Sequence, residues 1–160
     1  YDLTLVSDLR PVKVEDVADT AEELRAFEHY RGFLEDNPRE IKRVINVHRL
    51  VKILLQPPGE PEVWAPERQR KLVKWLIFCL RWGKLVDDVL RRVESHPEEP
   101  NCLAFLAAGA NGLEEAAHQL LERFVKDPFD PLSAADIDAD FRTAAFLSQW
   151  ISDAPDVGEG

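Results

Sequence analysis

The sequence holds no methionine, two cysteines, two tyrosines and seven glycines among its 160 residues. An open reading frame starts with methionine, so its absence leads us to expect a piece of a longer protein. Two cysteines, Cys79 and Cys102, exclude a disulfide framework, and Cys79 falls in an apolar run that suits a buried thiol. The longest unbroken apolar run, Trp75 to Leu80, is far short of the ~20 residues a membrane-spanning helix requires. The glycines form no G-x-x-x-x-G-K-[ST] loop, no G-x-G-x-x-G turn and no G-x-S-x-G elbow. Phosphate cradling by a glycine loop and elbow-type nucleophilic hydrolysis are therefore absent from this stretch. No nucleophile stands in a recognisable pairing with a base, which ranks a stand-alone hydrolase last among the functional classes.

What is present is charge, unevenly placed. The net charge of −10 splits into −6 over residues 1–36, +7 over 37–92 and −11 over 93–160. A basic waist between acidic flanks either binds an anion or pairs with its own flanks. Hydrophobic residues make up 45% of the chain and charged residues 31%, a balance that excludes wholesale disorder.

Helical periodicity dominates the pattern. Thr20 to Leu34 carries Leu24, Phe27, Tyr30 and Leu34 on one stripe. Asn37-Pro38-Arg39-Glu40 reads as a helix start, with Asn37 as cap, Pro38 at the first position and Glu40 completing a capping box. That helix is expected to run to Leu55, where Pro57-Pro58-Gly59 stops it. Pro66 to Trp82 is apolar on nearly every side from Leu72 onward and belongs at the centre of a bundle, leaning in part on whatever lies outside this chain. Gly83 marks a break before an amphipathic helix around Leu85 to Val93. Further helical segments are expected over 102–108, 112–125 and 135–151, with Ser133 as a cap. The fold class is all-α, an irregular bundle of six to seven helices over residues 20–152. A lead-in spans 1–19, with a strand candidate at Leu3 to Val6, and a frayed tail spans 153–160.

Three metal-like spacings fail on inspection. Asp136, Asp138 and Asp140 match the start of a calcium loop, but Phe141 and Leu147 stand where glycine and a bidentate carboxylate are needed. Their plain reading is carboxylates near a helix N-terminus. Glu115 and His118 form a single E-x-x-H pair where a di-metal bundle needs two. The four histidines have no cysteine partners at zinc spacing.

The helix at 37–55 stands apart. Ile41, Val44, Ile45, His48, Val51 and Leu55 share one face, which makes His48 a satisfied core histidine. Arg39, Lys42, Arg43, Asn46 and Arg49 share the opposite face, with Leu50 and Ile53 beside them. A basic row beginning at a helix N-terminus suits a polyphosphate or an acidic protein surface. Its plain alternative is a solvated face, with Arg43 paired to a local carboxylate and Asn37 and Glu40 serving only to start the helix. Nucleic acid fits poorly, because exposed aromatics are not interleaved and both flanks are acidic.

The run Asn37-Pro38-Arg39-Glu40-Ile41-Lys42-Arg43-Val44-Ile45-Asn46, followed by Arg49-Leu50-Val51, resembles the N-P-R-x-h-K-R-h-h-N signature (h apolar) of the KAP family of P-loop NTPases. Lys74-Trp75-Leu76-Ile77 with Arg81-Trp82 is similar to the tryptophan helix that follows in that family. Asp130-Pro131-Leu132-Ser133 with Asp136-Ile137 is similar to its closing helices. The resemblance spans about residues 20–151 and departs at Gly83, where the family pattern has proline. It implies a C-terminal helical subdomain of a parent that hydrolyses ATP or GTP with magnesium. The nucleotide-cradling loop and magnesium-holding strand would lie upstream, and this chain itself would hold no cofactor. It also implies a cytoplasmic protein at the inner face of a membrane, held there by parts of the parent outside this chain. Within it, Arg39, then Arg43, then Lys42 are the candidates for sensing nucleotide phosphates, and the upstream core is the partner. The competing expectation is a non-enzymatic helical scaffold whose basic face docks an acidic protein.

Overall fold

The computed structural model describes residues 19–34, 37–55, 64–108 and 112–153. Six α-helices lie among them: α1 (Ala21–Tyr30), α2 (Pro38–Leu55), α3 (Pro66–Arg81), α4 (Val86–Ser95), α5 (Glu115–Lys126) and α6 (Ala139–Asp153). The described residues contain no strand, and the chain is an all-α bundle. The expected lead-in up to residue 18, its strand candidate and the tail from 154 lie outside the described residues. None of the described helices is long and apolar enough to cross a membrane.

Helix α3 is the centre. Every residue from Leu72 to Cys79 is buried, so its neighbours within this chain cover it on all sides. Among the described residues the exposed large apolar side chains are Leu24, Leu50, Leu54, Phe146 and Trp150, none of them on this helix. Helices α1 and α6 supply most of the cover, through Ala26, Phe27 and Tyr30 on one side and Phe141, Ala144 and Ala145 on the other. Helix α2 closes the bundle against α6 and α3 with Val44, Val47 and Val51. The Trp75 indole, fully buried, donates to the Phe141 carbonyl at 2.8 Å, which satisfies a polar atom that burial would otherwise penalise.

Several helix boundaries differ from the periodic pattern, each for a local reason. The 20–34 segment is α-helical only to Tyr30, and Arg31–Leu34 tightens into a 3₁₀ turn. It starts on a full capping box: Thr20 Oγ1 accepts from Glu23 N at 3.1 Å, and Glu23 Oε1 accepts from Thr20 N at 2.7 Å. The 102–108 segment is a 3₁₀ turn over Ala104–Ala108. Backbone bonds from Cys102 N to Leu132 O (2.8 Å) and from Ala134 N to Glu99 O (2.9 Å) tie its approach to a neighbouring loop. Helix α5 begins at Glu115, after Gly112 turns the chain with φ of 69°. Ser133 does cap, but it caps the short turn Ala134–Asp136; α6 starts later, where Asp138 Oδ1 accepts from Phe141 N at 3.1 Å.

Part of the basic waist pairs with the acidic flanks. Arg70 makes a two-pronged pair with Asp130 (2.8 and 3.3 Å) and also binds Glu22. Arg68 spans Asp138 and Asp140, and Lys71 binds Asp136 at 2.9 Å. The aspartate triplet with calcium-like spacing is thus held by cations of α3. Asp130 sits in the left-handed region with φ of 49°, a conformation its Arg70 pair helps to hold.

Lys74 is a buried cation at the middle of this assembly, 2% exposed. Its ammonium and the Tyr30 hydroxyl both donate to the Phe129 carbonyl, at 3.0 and 2.7 Å. Burial pushes the ammonium down from 10.5 to about 8, against the pull of Asp127 and Asp130. Between those pH values the unfolded chain binds more protons than the folded one, so this group makes stability rise with pH. Urea melts should therefore show the wild type gaining roughly 2–3 kcal/mol on Lys74→Met between pH 7 and 10.5; parallel pH profiles would contradict this.

Gly83 has a steric explanation. A Cβ there would stand 2.8 Å from Gln149 Nε2, the group that donates to the Cys79 carbonyl near the end of α3. Proline, which the family pattern has here, carries the same Cβ. We expect Gly83→Ala to cost about 1 kcal/mol in denaturant melts, and to cost nothing further in a Gln149→Ala background.

Candidate functional site

The basic face of α2 is built from its first turn. Asn37 Oδ1 accepts from Arg39 N at 3.0 Å, and Pro38 fills a position whose N–H would have no helical partner. The expected capping box is not completed. Asn37 N donates to Leu34 O at 3.1 Å, and the Glu40 carboxylate turns to Arg43 at 3.3 Å. An acceptor for Asn37 N already exists in the preceding turn, so Glu40 is released to its i+3 neighbour.

Along the helix the expected row divides. Arg39, Lys42 and Asn46 point to solvent on one face. Lys42 forms no ion pair among the described residues. Arg43 is half-buried, held by Glu40 and by the Ser152 hydroxyl at the end of α6. Arg49 turns to Asp19 Oδ2 at 3.0 Å. The exposed face therefore carries cations over its first turns, and Leu50 and Leu54, 46% and 55% exposed, over its last. Arg39 and Lys42 lie at the exposed surface, whereas Arg43 serves the junction of α2 with α6.

His48 lies on the buried face as expected, but it is not satisfied. It is fully buried, and neither ring nitrogen forms a hydrogen bond. Glu23 Oε2 stands 3.3 Å from Nε2, and Asp19 Oδ1 stands 3.8 Å from Nδ1. The Phe27 ring meets the imidazole edge-on, with centroids 5.2 Å apart. Burial pushes the Glu23 carboxyl up, but the facing His48, the Lys52 ammonium and the Thr20 amide outweigh it and hold it at about 2. Asp19 is likewise held below its usual value: His48 and Arg49 prevail over burial. Sequence spacing misses this cluster because its members sit on two helix segments 25 to 29 residues apart; the Thr20/Glu23 box was its one visible signal.

Glu115 is exposed and His118 half-buried on α5, and no metal grouping among the described residues includes them. Comparison with protein-family models, with curated proteins and with solved structures finds no match for the chain. What the geometry defines is a class: an all-α bundle whose second helix offers a basic face to its surroundings and a buried polar cluster to its interior.

The division of the face has a stability signature. Lys42→Glu should leave thermal stability within about 0.5 kcal/mol of wild type, whereas Arg43→Ala should cost about 1 kcal/mol by releasing both Glu40 and Ser152. Equal losses in parallel thermal melts would contradict this division.

Proposed function

We propose that this chain is the helical regulatory, lid-like subdomain of a KAP-type P-loop NTPase. It packs against a nucleotide-binding core elsewhere in the parent and meets the nucleotide phosphates with the exposed basic face of α2. The observation that carries this reading is the solvent-facing set Arg39, Lys42 and Asn46, which falls within the run that resembles the family signature. Arg39 is the first candidate for charge compensation of phosphate oxygens, Lys42 the second, and Arg43 the least available because Glu40 and Ser152 hold it. The exposed Leu50 and Leu54 on the later turns supply the apolar half of a packing surface for the core. ATP or GTP with magnesium belongs to the parent in this reading, and the chain's own part is to couple nucleotide state to the angle of the lid.

Arg39→Ala in the full-length protein should lower nucleotide turnover by about tenfold or more, with Lys42→Ala giving a smaller loss. Both variants should keep the wild-type melting temperature. Unchanged turnover and nucleotide affinity in both would overturn the phosphate-sensing role. Loss of binding to an acidic protein in the same variants would instead favour an interaction scaffold.

A further inference from the structure

The Asp19, Glu23 and His48 cluster joins the start of α1 to the middle of α2, away from the basic face. One oxygen of each carboxylate is already taken. Glu23 Oε1 accepts from Lys52 Nζ at 2.7 Å and from Thr20 N at 2.7 Å. Asp19 Oδ2 accepts from Arg49 at 3.0 Å. The remaining oxygens, Glu23 Oε2 and Asp19 Oδ1, face the imidazole. Asp19 Oδ1 and both ring nitrogens are buried without a hydrogen bond, although His48 is fully shielded from water. Buried polar atoms without a hydrogen bond are costly, and here the imidazole lies between two carboxylates, Glu23 Oε2 at 3.3 Å from Nε2 and Asp19 Oδ1 at 3.8 Å from Nδ1.

One ring nitrogen and one oxygen from each carboxylate all lie within 4.8 Å of one another. Around tetrahedral zinc, with bonds of ~2.0–2.2 Å, neighbouring ligand atoms stand about 3.3–3.6 Å apart. The 3.3 Å separation of His48 Nε2 from Glu23 Oε2 has that spacing. We infer that Asp19, Glu23 and His48 form a three-donor site for one zinc ion, its fourth position left to a water, that pins the start of α1 to the middle of α2. The donor set of one imidazole and two carboxylates suits a borderline transition ion. Calcium and magnesium call for more oxygens and water than this buried cluster offers. Lys52, Thr20 and Arg49 act as the outer partners that orient each carboxylate, and the Phe27 edge fixes the plane of the ring. The ion has a mechanical role, since α1 packs chiefly on α3 while α2 packs on α6 and α3.

The test uses the full-length protein, stripped with chelator and titrated with Zn²⁺ alone by calorimetry, with melting curves before and after loading. Wild type should bind one equivalent at roughly 1 μM or tighter and melt several degrees higher when loaded. Asp19→Asn and His48→Gln should each weaken that equivalent by about 100-fold and lose the shift in melting temperature. Asp19→Asn keeps the side-chain volume, so the comparison survives if the histidine variant fails to fold. Co²⁺ in place of zinc should give visible d–d absorption in wild type that Asp19→Asn lacks. Equal zinc binding in wild type and both variants would overturn the assignment. So would no binding in wild type, accompanied by an NMR spectrum of a doubly protonated His48 ring bridging the two carboxylates.

Discussion

Burying a helix on every side leaves it few points of polar contact, and the rest of this molecule is arranged around that constraint. From Leu72 to Cys79, α3 offers water no face. Its charges are concentrated in the first turns, where Arg68, Arg70 and Lys71 reach out to carboxylates of α1 and of the loops that lead into α6. Lys74 stands inside the apolar zone, and the loop at Phe129 is drawn over it so that a carbonyl meets its ammonium. The acidic flanks are thus the covering layer of a basic centre. Electrostatic self-pairing and apolar burial select the same arrangement, the agreement across levels expected of a sequence with one dominant fold.

Pairing of part of the waist with its flanks sharpens what remains. Arg68, Arg70 and Lys71 of α3 are paired, and two from the α2 row are as well: Arg43 with Glu40 and Arg49 with Asp19. Arg39 and Lys42 stay at the surface, beside Asn46 and upstream of exposed Leu50 and Leu54. Helix α2 therefore has two separable sides. Its outer side meets whatever the bundle docks against, and its inner side closes on the carboxylates of α1. A change at one side reaches the other through at most two or three turns of rigid helix.

Much of the fold was legible because helical periodicity is a strong local signal. Most of the stripe on α1 and the turn after it (Phe27, Tyr30 and Leu34, with Leu24 left exposed), the span of α2 and the central place of α3 follow from apolar spacing and from Pro38 and Pro66 at helix starts. What failed to show were features decided by tertiary partners. Glu40 has a plausible capping role by spacing, yet Leu34 O takes the Asn37 N–H and Arg43 takes the carboxylate. Residues 104–108 have helical composition, but backbone bonds to 132–134 hold their approach and leave a 3₁₀ turn. His48 was correctly placed in the interior, while its unsatisfied nitrogens were invisible because Asp19 and Glu23 arrive from another segment. Periodicity assigns a face; it does not say what faces it.

The distribution of indoles carries an optical consequence. Trp75 is wholly enclosed and Trp82 nearly so, Trp64 is half-covered with the Arg68 guanidinium 4.1 Å from its ring centroid, and Trp150 stands 63% exposed on α6 beside Phe146. Emission from the first two comes from an apolar surrounding and that of Trp150 from water, so the red edge of the fluorescence spectrum belongs mainly to one residue. Iodide or acrylamide reaches that residue first. Quenching at the red edge thus reports whether the outer face of α6 is covered, while the blue edge reports the integrity of the interior, and one unlabelled sample reads docking and folding on separate wavelengths.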